Sequence, residues 1–112
     1  MSEPIYDKGF VQSQLNMTGY TMISTFWDDF SIAERFQLSA VRETYERCFR
    51  EWKSDVKMFT ELVLILNWKI WRWYGNNDEL ANLYNELWLK AKQYGETHFE
   101  GDDATYYFRT LD

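Results

Sequence analysis

The chain has 112 residues, six Trp, eight Tyr and eight Phe, one Cys and a net charge of −6. That length suits one domain, and aromatics that bury about 150 to 250 Å² each supply a core without staples. A single Cys48 excludes an internal disulfide, the acidic balance disfavours phosphate backbones and anionic membranes in favour of basic partners, and the opening MSEPIYDK has neither a basic leader nor an apolar run.

Residues 1–25 carry two Gly, the only Pro and unpatterned apolar residues, so an irregular or hairpin-like N-terminal arm is expected, with turns at Gly9 and at Thr18-Gly19-Tyr20. Residues 26–112 form the expected helical bundle domain. Ser31-Ile32-Ala33-Glu34 reads as a capping box that starts a short leading helix, and Asp28-Asp29 as capping carboxylates rather than a catalytic acid–base pair. After Gln37-Leu38, Ser39 can cap a second helix with the apolar stripe Val41, Tyr45, Cys48, Phe49 and Trp52. Its outer face offers Glu43–Arg47, Glu46–Arg50 and Arg47–Glu51 pairs. Cys48 on the stripe reads as packing, not as a nucleophile.

Residues 39–74 as one rod would run about 54 Å, so a break is expected at Lys53-Ser54-Asp55, with Ser54 as cap. The central helix then presents Met58, Phe59, Leu62, Val63, Ile65, Leu66, Ile70, Trp73 and Tyr74 on one broad face, with Lys69 intruding and Lys57, Thr60, Glu61 and Arg72 opposite. Leu64, Trp68 and Trp71 lie outside that face at i, i+4, i+7. Such a second stripe needs a cover: another element of the same chain, a second copy, or a partner protein. These three are the candidate partner-binding residues. The apolar run Leu62 to Leu66 is far short of the roughly 20 residues a membrane span needs.

Gly75 is placed to end the central helix as a left-handed cap, and Asn77, Asp78 and Glu79 to begin the last one, whose inner stripe is Leu80, Leu83, Tyr84, Leu87, Ala91 and Tyr94 up to about Gly95. Residues 76–112 hold eight acids and three bases. His98 with Glu96, Glu100, Asp102 and Asp103 matches no metal-ligand spacing and reads as a solvated acidic turn. The Ile32–Val41 stretch resembles the start of a helix-turn-helix DNA reader, but Gln37 stands where that pattern wants Gly, and Glu43 and Glu46 where it wants apolar residues.

The runs Thr25–Phe36, Glu51-Trp52-Lys53 and Glu61–Trp71 resemble small uncharacterised helical proteins carried by phages and mobile elements of anaerobic gut bacteria, over residues 25–112. That resemblance implies a setting and no site. Together these features predict an all-α fold of three principal helices plus a short leading one, in a cytoplasmic, non-enzymatic accessory or interaction protein that takes no cofactor or metal. It is expected to bind a protein partner or a second copy through Leu64, Trp68 and Trp71. The alternatives are an acidic mimic of nucleic acid and, against the charge, a small DNA-binding regulator.

Overall fold

A helix that is apolar over most of its circumference is affordable only at the centre of a fold, and the stretch 59–70 holds that place here. A computed structural model of the chain describes residues 7–17 and 24–99. Among these there are five α-helices and no strand: α1 (Lys8–Asn16), α2 (Phe26–Ala33), α3 (Leu38–Trp52), α4 (Val56–Trp73) and α5 (Asp78–His98). The all-helical class agrees with the sequence, whereas five helices replace the expected three plus one.

The additional helix lies in the supposed arm. Asp7 caps α1 by accepting from the Phe10 amide at 2.8 Å, and Val11 and Leu15, one turn apart, enter the main core. Two buried positions in a helix of 9 residues are too few to reveal a 3.6-residue period. The turn expected at Thr18-Gly19-Tyr20 lies outside the described residues, as does the acidic and aromatic stretch beyond Phe99.

The leading helix begins at Phe26, five residues before the expected capping box. Ser31 is therefore inside α2, its hydroxyl donating to the Trp27 carbonyl at 2.8 Å, and Glu34 closes the helix instead of starting it. Apolar Phe26, Trp27 and Phe30, all buried, pull this turn into the helix ahead of its polar signal. Likewise α3 starts at Leu38 after an extended Gln37, which leaves Ser39 within the helix. Asp55, not Ser54, caps α4, accepting from the Met58 amide at 3.1 Å, and the expected break between α3 and α4 is present. Gly75 has φ 82°, the left-handed conformation that favours glycine, and Asn77 caps α5 by accepting from Leu80 N at 3.1 Å.

On one side α4 lies along α5 and α3, where Phe59, Phe49, Tyr94 and Phe99 form an aromatic cluster with centroids 4.8 to 5.9 Å apart in the closer pairs. The opposite side was expected to face water, yet Thr60 and Glu61 are buried there. The chain leading into α2 reaches Glu61, whose Oε1 accepts from the Ser24 amide at 3.4 Å, while the Thr60 hydroxyl donates to the Val56 carbonyl at 2.6 Å. Phe59 through Asn67 are consequently buried without interruption, and the middle of α4 is wrapped on all sides while its last turn opens at Trp71.

Candidate interaction surface

The stripe Leu64, Trp68, Trp71 divides along its length. Leu64 is buried. Trp68 is half-buried and meets Phe10 of α1 edge-on, with centroids 5.9 Å apart at 81°. Trp71, one turn further, is 48% exposed and touches Tyr74 at 5.8 Å. An element of the same chain thus reaches the first two residues of the stripe and leaves the third open.

The open end of the stripe has company. Arg35 shares a cavity with Arg72 and Trp73, while Phe36 and Leu38 share another with Asn77 and Leu80. The α2–α3 and α4–α5 turns therefore lie at the same end of the bundle. Phe36 is 74% exposed at this end, and Tyr74, expected on the core face, is 68% exposed because α4 ends at Trp73, with Ile32 and Leu38 also in water. Five of the seven large exposed hydrophobics among the described residues thus belong to one end, the others being Met17 and Leu89. Exposed apolar residues scattered singly need no explanation, but a grouping does. Ile32 and Phe36 also wall an open groove of about 530 Å³ between α2 and α3, closed on the far side by Arg47 and Arg50.

Beneath this end lies a buried polar network that locks it. Lys69 is 1% exposed; its ammonium is 3.0 Å from Glu34, donates to Ser31 Oγ at 2.8 Å and sits 4.1 Å from the centre of the Trp27 ring. Tyr84 on α5 donates its hydroxyl to the same oxygen that Lys69 faces, Glu34 Oε2. Burial lowers the Lys69 pKa against the opposing pull of Glu34. Burial, then the Glu34 charge, raises that of Tyr84. The network joins α2, α4 and α5, so the turns bearing Phe36, Trp71 and Tyr74 are held on a fixed frame. The sequence signal for it was Lys69 itself: an ammonium on an apolar face requires an acid partner.

The remaining candidates acquire ordinary partners. Asp28 pairs with Lys8 at 2.8 Å and Asp29 with Arg47 at 3.8 Å. Of the three pairs expected along α3, Arg47–Glu51 closes at 4.0 Å, while Arg42 reaches across to Glu86 at 2.6 Å. On α5, Glu86 also meets Lys90 and Glu96 meets Lys92, so these carboxylates do not form an uncompensated acidic face. His98 stacks on Tyr94 at 3.7 Å, and no group of three potential metal ligands occurs among the described residues. Cys48 is buried and free, its thiol pushed up to about 11 by burial. No helix among the described residues is long and apolar enough to cross a membrane. No family model, curated protein or solved structure matches this chain.

Proposed function

We propose that the protein is a non-enzymatic interaction or accessory protein that docks a protein partner through the aromatic end of its bundle, in the phage or mobile-element setting its resemblance implies. The observation that carries this reading is the joint exposure of Phe36, Trp71 and Tyr74 on turns braced by the Lys69–Glu34–Tyr84 network. Aromatic anchors on a rigid frame lose little entropy when they bind, which is the usual make-up of an interface centre. The docking residues are then Trp71 with Tyr74 and Phe36, and Leu64 and Trp68 act beneath them as support.

Phe36→Ala combined with Tyr74→Ala tests the reading, because neither side chain is in the core. The double variant is expected to keep the wild-type melting temperature while losing association, read by light scattering for a second copy and by cross-linking for another protein. Unchanged association, or a marked loss of melting temperature, counts against it.

A further inference from the structure

We propose that the cavity between α2 and α4 at this end is a binding site for a small oxyanion, a carboxylate or a phosphate group. It encloses about 320 Å³, the lower end of the roughly 300 to 1,000 Å³ typical of ligand sites. Trp27, Trp73, Ser31, Arg35 and Arg72 line it together with two carboxylates, Asp7 and Glu34.

Both carboxylates are already engaged. Glu34 is shared between Lys69 at 3.0 Å and Tyr84, and Asp7 accepts from the first turn of α1 at 2.8 Å. Neither arginine has a carboxylate partner: the ion pairs of the described residues are made by Lys8, Arg42, Arg47, Lys69, Lys90 and Lys92. With Glu34 neutralised by Lys69, the lining sets two guanidinium groups against the single carboxylate of Asp7, a local excess of positive charge in a chain of net charge −6.

Geometry adds to charge. The Arg72 guanidinium lies over the Trp73 ring, 4.3 Å from its centre, a cation–π contact that holds the group at the cavity wall. A planar fork held in this way matches the two oxygens of a carboxylate or phosphate. Trp27 and Trp73 give the cavity apolar walls, suited to a flat or aliphatic body attached to the anion.

The test is a titration of the full chain with sodium benzoate and, separately, with inorganic phosphate, following the Trp73 indole N–H and Arg72 Nε–H signals by NMR. Saturable shifts are expected at about millimolar concentration or tighter, with no such response to sodium chloride at matched ionic strength. Arg35→Gln and Arg72→Gln should each weaken binding about tenfold or more; neither breaks an ion pair, so Arg35→Gln should leave the melting temperature unchanged and Arg72→Gln should lower it only slightly, through the lost Trp73 contact. Response to benzoate alone assigns a carboxylate with an apolar body, response to phosphate alone assigns a phosphate group, and response to both assigns the oxyanion itself. Shifts that follow sodium chloride, fail to saturate, or persist undiminished in both variants overturn the proposal. The site is independent of protein docking, because neither Phe36 nor Tyr74 lines the cavity, and the same titration on their double alanine variant keeps the two questions apart.

Discussion

Lys69 in the fourth turn of α4 and Glu34 at the end of α2 lie 3.0 Å apart, both side chains almost wholly withdrawn from water. The pair is 35 positions apart in sequence, and it determines how the short leading helix sits on the central one. Removing one member leaves the other charge buried. Lys69→Met is expected to cost about 3 to 5 kcal/mol in urea denaturation, and Glu34→Gln with Lys69→Met should recover part of that loss. Equal instability of the single and double variants would show that the charges are not coupled.

Alkaline conditions should unfold the protein early. The unfolded chain releases the Cys48 proton near its ordinary 9.0 and that of Tyr45 near 10.0, whereas burial holds them in the folded chain to about 11 and about 12. Tyr84 is shifted upward as well. Above pH 9 the folded state therefore binds more protons, and its stability falls as pH rises. Lys69, with a lowered pKa, contributes in the opposite direction, one group against three. Melting temperatures measured from pH 7 to 11 should be level at first and decline beyond about 9; a flat profile to 11 would contradict this.

Within α4, Leu62 and Leu66 have no exposed surface. Replacing either by Ala should cost about 2 to 5 kcal/mol from lost transfer energy and the cavity left behind. Less than about 1 kcal/mol for both would place the core elsewhere.

The two tryptophans of the divided stripe should respond differently. Trp68→Ala removes the ring that Phe10 packs against and should lower the melting temperature clearly, whereas Trp71→Ala, half in water, should change stability by about 0.5 kcal/mol or less. Equal effects would mean that α1 does not cover the stripe.

Leu15→Ala tests α1 directly. Its side chain is in the main core, so a loss of about 2 kcal/mol or more is expected, against the separable arm that the composition suggested.

What was legible in the sequence follows the length of each pattern. The central and last helices repeat their apolar spacing over 18 and 21 residues, and Gly75 and Asn77 punctuate them, so both could be read directly. The helices of 9 and 8 residues carry too few turns for a period to stand out, so α1 has no readable signal and α2 starts ahead of its polar one. Ser31 and Glu34 illustrate why. As a local pattern they are a capping box, and a tertiary partner, Lys69, gives them a different use. The second stripe was visible as a surplus of tryptophan, but its division was not, since that depends on where α1 ends up.

The middle of α4, enclosed on every side, has no local way to meet solvent. The amides of residues 59–67 are expected to exchange with deuterium only when the whole domain opens, so their slowest rates report the global unfolding free energy. The braced turns at Phe36 and Tyr74 lie at the surface beyond that enclosure, so their amides are expected to exchange sooner than those of the centre. One molecule thus carries both a slow clock at its axis and a fast one at its tip.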